Sequence, residues 1–183
     1  TQIKSSINIR PWAKNVETSV NKKYDEGKIE RYKIQLARID TYLNILYKYI
    51  IEKYNDDEFI VSLVSDHGQG YFIRENEEML EQERIKVPFM LRGKNIPQGE
   101  CFEMVQSMDL FPIILNSIGI EDFKDRDGIV PKYFGGGVGR SYTISETFFP
   151  KTPYKATIND KVHKFFFEAE GLCGVDGRFE LGN

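Results

Sequence analysis

Cysteine is scarce in this chain of 183 residues. Cys101 and Cys173 are the only two, without CxxC spacing or a nearby Cys/His cluster, which argues against a structural zinc site. Two separate thiols are expected, with a single disulfide as the alternative. A basic block is missing too: 25 Lys and Arg stand against 28 Asp and Glu, for a net charge of -3. Nothing therefore favours nucleic acid as a partner. No apolar run approaches the ~20 residues of a membrane span, and Thr1 to Arg10 lacks the apolar core of a signal peptide. No direct membrane contact is expected from the chain, and the location of the intact protein is left open. Internal repeats and low-complexity tracts are also absent.

What remains is a globular composition. Hydrophobic residues make up 40%, charged residues 29% and aromatic residues 13%, the balance of a chain that folds around a core. At this length about 70% of the unfolded surface is buried on folding, so no cross-link is needed.

The pattern divides the chain into three regions. Residues 1–23 are polar, carry Pro11 and Trp12, and read as an irregular lead-in. Residues 24–150 read as an α/β core. There, Ile29, Tyr32, Leu36, Ile39, Leu43, Leu46, Tyr47 and Ile50 recur at steps of three and four, which predicts a long amphipathic helix packed on a sheet. The polar turn Asn55-Asp56-Asp57 follows, then Phe59 to Val64, apolar except for Ser62, which reads as a strand buried on both faces. Together they look like half of a βαβ unit.

That strand ends at Ser65-Asp66-His67-Gly68, where ligands gather in open α/β sheets. Gln69 to Arg84 is a glutamate-rich excursion. Val87 to Leu91 reads as a strand with Pro88 at its start, and Phe102 to Ile118 carries a second helical pattern, stopped by Gly119. Ser141 to Phe148 alternates toward a strand. Residues 151–183 read as a β-hairpin region turning at Asn159 and Asp160.

Asp66 and His67 supply the chemistry. An oxygen and a nitrogen ligand at one strand end converge on a divalent cation when the backbone turns sharply, and Gly68 permits that turn. A structural His–Asp hydrogen bond is the bland alternative. Asp109 reads as a carboxylate capping a helix rather than a catalytic group. Gly135-Gly136-Gly137 lacks the Lys-Ser or Lys-Thr of a phosphate loop and reads as a turn. His163 sits in an alternating strand without an obvious partner. Phe165-Phe166-Phe167 reads as sheet packing, since no basic residues interleave it.

The order of blocks is more specific than any one of them. Tyr32, Ala37, Ile39, Asp40 and Leu43, then Ser65-Asp66-His67-Gly68 and Val87-Pro88-Phe89, resemble the sulfatase and alkaline phosphatase superfamily. So do Met108-Asp109-Leu110-Phe111-Pro112, Gly119-Ile120 and Asp127-Gly128. The resemblance covers roughly residues 30 to 168. It implies an alkaline-phosphatase-like mixed sheet between helices, incomplete here, with a small carboxyl-terminal antiparallel sheet.

It further implies Asp66 and His67 as metal ligands, a divalent cation (calcium, manganese or zinc), a sulfate- or phosphate-ester substrate, and Arg74 as the group gripping the ester, with Lys86 a weaker candidate. The family's nucleophile motif, Cys/Ser-x-Pro-x-Arg, is absent: Cys101 precedes Phe102 and Glu103, and Cys173 precedes Gly174 and Val175. The chain is thus expected to be a fragment, inactive alone, whose truncated sheet edge invites self-association. The alternatives are a phosphoglycerol or phosphoethanolamine transferase of the same superfamily, and a noncatalytic binding module of this fold.

Overall fold

The computed structural model describes residues 26–69, 80–120, 126–147, 152–169, 171–174 and 179–181. The lead-in expected over 1–23 lies outside them. Helix α1 (Glu26–Lys53) is the long helix that the three- and four-residue spacing predicts. The apolar stripe is covered only in part: Ile29, Leu43, Tyr47 and Ile50 are half-buried, whereas Tyr32, Leu36, Ile39 and Leu46 are exposed. Leu43, Tyr47 and Ile50 share one face, and with Val61, Leu63 and Leu91 they line a cavity of about 420 Å³. Arg92 ties the two sides together. Its guanidinium donates to the Tyr47 hydroxyl and to Asp56 Oδ1 at 3.1 Å, and lies over the Tyr47 ring at 5.4 Å.

Strand β1 (Ile60–Val64) pairs antiparallel with β2 (Phe89–Gly93), Val61 opposite Arg92 and Val64 opposite Phe89. This corrects the expectation of a strand buried on both faces. Among the described residues every strand pair is antiparallel, and Ser62, Leu63 and Val64 are exposed. Val61 and Leu63, on either side of the exposed Ser62, line the cavity facing α1, so one face of the strand turns toward the helix and the other is open. A four-residue helix, α2 (Gln82–Ile85), precedes β2.

A 3₁₀ turn (Ser107–Asp109) leads into helix α3 (Leu110–Ser117). Pro112 and Ile113 are buried, and full burial of a side chain such as Ile113 is worth about 1.5–3 kcal/mol. Gly119 ends the helix at φ 81°, a conformation that a side chain disfavours. A further 3₁₀ turn spans Lys132–Phe134. The glycine-rich loop after it folds back, with the Gly136 amide donating to the Pro131 carbonyl at 3.0 Å.

The carboxyl-terminal sheet is antiparallel, as expected, and has the order β3 (Thr143–Thr147), β4 (Lys155–Asn159), β5 (Lys164–Glu168). It recruits β3 from upstream of residue 150. Thr157 is fully buried in its centre and donates to the Phe165 carbonyl at 2.8 Å. Phe165 and Phe167 are exposed, so the sheet packing expected of the Phe run holds only in part. A short pair, β6 (Gly171–Cys173) and β7 (Phe179–Leu181), completes the described strands. The overall arrangement is helices beside antiparallel sheets, consistent with an α/β fold.

Candidate metal centre

Beyond β1 the backbone turns at Asp66. Asp66 Oδ1 accepts the His67 amide at 2.8 Å, and the Ser65 hydroxyl donates to the His67 carbonyl at 2.8 Å. The Gly68 amide donates to the Arg84 carbonyl at 2.6 Å, so α2 is pressed against the turn. A Cβ on Gly68 would stand 1.9 Å from the Glu83 carbonyl oxygen. Glycine is required there by the close approach of two backbones; its φ is not positive, so the turn itself does not call for glycine. Ser65 belongs to the strand-end block read in the sequence, whereas the Arg84 carbonyl has no signal there.

The His67 ring is oriented by its own neighbour. Nδ1 lies 2.8 Å from the Gly68 carbonyl oxygen, which can only accept, so in the neutral ring Nδ1 carries the proton and Nε2 keeps a free lone pair. Metal-ligating histidines use this same arrangement, a backbone carbonyl fixing the tautomer. Nε2 is 3.8 Å from Asp66 Oδ2. Two metal–ligand bonds of roughly 2.1 Å each can bridge that gap, so the donor set fits one shared cation. The side chains are 86% exposed at Asp66 and 47% at His67, which suits an open site rather than a closed structural one. The amide of His67, then the charge of its ring, hold the Asp66 carboxyl below its ordinary value, and the group remains an anionic ligand at neutral pH.

Among the described residues no three His, Cys, Asp or Glu side chains converge as a metal cluster. Arg74 lies outside the described residues. Lys86 is exposed and borders a 490 Å³ cavity with Val87, Gln106 and Ser107. His163 is engaged in its own turn, Nδ1 standing 3.3 Å from Asp160 Oδ2. Asp109 is completely buried, accepts the amides of Gln106 and Ile129 at 2.8 Å each, and is held by Arg140. It closes the turn before α3 and is remote from solvent, in keeping with a structural carboxylate. Its partner Arg140 was not singled out in the sequence.

Helices beside antiparallel sheets, with an Asp-His-Gly turn at a strand end, are consistent with an α/β fold. Residues 9–120, more than half of the chain, match the family model described as Sulfatase, and the chain belongs to that family, within the sulfatase and alkaline phosphatase superfamily. No curated protein and no solved structure matches it.

Proposed function

We propose that this chain supplies the metal-binding strand end of a sulfatase-like enzyme that cleaves a sulfate or phosphate ester. The observation that carries the reading is the pair itself: Asp66 Oδ2 faces His67 Nε2 at 3.8 Å while Nδ1 is tied to the Gly68 carbonyl. A divalent cation held there would polarise the ester oxygens and lower the pKa of the attacking group. The role of this chain's residues is to position. Gly68 and Arg84 clamp the turn, His67 presents Nε2, and Asp66 brings the negative charge that a cation needs. Arg74 is the proposed grip on the ester, its fork matching two oxygens. The sequence contains no Cys/Ser-x-Pro-x-Arg stretch, so no nucleophile is assigned and the chain alone is proposed to be inactive.

The test is calorimetric titration of manganese, calcium and zinc into the chain and into an Asp66→Ala, His67→Ala variant. Binding that disappears in the variant supports the reading. Equal binding in both, or none in either, counts against it.

A further inference from the structure

The clamp on Gly68 continues beyond α2 into the carboxyl-terminal sheet. Lys164, the first residue of β5, donates through its ammonium to the Leu80 carbonyl at 2.7 Å. Leu80 is 2% exposed, so water competes little for that bond. The next carbonyl, of Glu81, accepts the amides of Arg84 at 2.9 Å and Ile85 at 3.1 Å, which closes the single turn of α2. The Arg84 carbonyl then accepts the Gly68 amide at 2.6 Å. Consecutive hydrogen bonds therefore lead from β5 to the turn that presents Asp66 and His67.

The middle of this chain of bonds cannot place itself. α2 has four residues, none of them buried, and isolated helices shorter than about 12–15 residues are marginal in water. Its position is therefore set by what grips its two ends. At one end Lys164 is itself well fixed: it stands opposite Asn159 in the β4–β5 ladder, and the turn between them is closed by the Asp160 amide donating to the His163 carbonyl at 3.0 Å. Asp160 Oδ1 braces the same turn, accepting the amides of Val162 at 2.7 Å and His163 at 2.5 Å. At the other end the fit against Gly68 is close enough to exclude a Cβ, so a displacement of α2 is felt at once by the turn.

We propose that Lys164 is a positioning residue for the Asp66–His67 turn: it holds Leu80, and through α2 it holds the Arg84 carbonyl where the Gly68 amide meets it. The inference rests on the cation-binding reading of that pair and adds to it a residue of the carboxyl-terminal sheet, far from the pair in sequence. Energetic coupling between separated sites is carried by such contiguous hydrogen-bonded contacts. The carboxyl-terminal sheet is thereby made part of what shapes the strand end.

The experiment compares the parent chain with Lys164→Met, which keeps most of the stem and removes the donor, and with Lys164→Arg, which keeps a cationic donor. Amide hydrogen exchange is measured on the metal-free chain and manganese affinity by calorimetry. In Lys164→Met the Gly68 amide should exchange about tenfold faster and manganese should bind about fivefold more weakly, with both largely restored in Lys164→Arg. The amide of Ile113, buried in α3, should exchange at the parent's rate, which shows that the variant is folded. A Gly68 amide unchanged in Lys164→Met, manganese affinity unchanged once that amide is loosened, or equal acceleration at Ile113, the mark of a general loss of stability, would overturn the proposal. A parent that binds no manganese is a separate failure: it removes the cation-binding reading, and the positioning role with it, whatever the Gly68 amide does.

Discussion

Arg140 closes on Asp109 across 31 residues of sequence, with Nε 2.9 Å from Oδ2 and Nη2 2.5 Å from Oδ1. The same guanidinium donates to the Asp127 carbonyl at 3.0 Å, and the same carboxylate takes the amides of Gln106 and Ile129. One ion pair therefore gathers three stretches of irregular chain around the start of α3. Asp109 is fully buried and the Arg140 side chain is 14% exposed, so water screens little of the interaction. The hydrogen bonds to Asp109, the largest influence, hold the Arg140 guanidinium above its ordinary value despite partial burial.

Arg140→Met keeps the stem and removes the charge, leaving a buried carboxylate held by backbone amides alone. Breaking one side of a buried pair costs about 3–5 kcal/mol, and urea unfolding should show a loss of that size. A loss below about 1 kcal/mol, the value for an exposed pair, would mean that Asp109 is satisfied without Arg140. Pairing the change with Asp109→Leu should recover part of the loss, because no orphan charge then remains.

Gly68→Ala tests how α2 supports the Asp66–His67 turn proposed to hold a cation. The added methyl would overlap the Glu83 carbonyl oxygen, so either β1 or α2 must move. Overpacking of this kind costs about 1–3 kcal/mol. The expected result is a lower unfolding midpoint together with weaker manganese binding, although no proposed ligand is altered. Unchanged metal affinity would show that the turn does not depend on α2.

Acid should loosen the β4–β5 turn, but only well into the acid range. The amides of His163, then of Val162, hold the Asp160 carboxyl below its ordinary value. A carboxyl whose folded value is depressed contributes stability that is complete above its unfolded pKa and is lost as pH falls through its folded one. The Val162 and His163 amide resonances should therefore titrate together, at a pH below the usual carboxylate range. Asp160→Asn should abolish that titration. Amide shifts that titrate within the ordinary range would contradict the turn geometry.

How much of this was legible in the sequence follows from the range of each interaction. The helix α1, the strand end at Asp66, the stop at Gly119 and the β4–β5 hairpin are each written in residues a few positions apart, and each was readable. The pairing of β1 with β2 was not, because a run that is apolar at all but one position has the same appearance whether a strand is covered on both faces or faces one helix. Asp109 was read as a capping carboxylate, and it does reach back to the Gln106 amide. Its stronger tie, to Arg140, spans a glycine-rich loop and has no periodic signature. The bond from Lys164 to the Leu80 carbonyl was equally silent, since it joins residues 84 positions apart.

The remaining expectation concerns association between copies. Among the described residues β1 is paired on one side only, with β2. Beside it stand Leu46, 53% exposed, and Met90, 59% exposed, on the walls of the 420 Å³ cavity between α1 and the β1–β2 pair. An unpaired strand edge next to exposed apolar side chains is a template for a second chain. We expect sedimentation velocity to show a coefficient that rises with protein concentration. In a Leu46→Glu, Met90→Glu variant, which puts charge on both walls without touching the backbone ladder, that rise should vanish. A parent chain that stays monomeric at the highest concentration would dispose of the idea. A variant that associates as strongly as the parent would move the contact elsewhere, with the exposed Ile144, Ile158 and Phe165 of the carboxyl-terminal sheet as the next surface to charge.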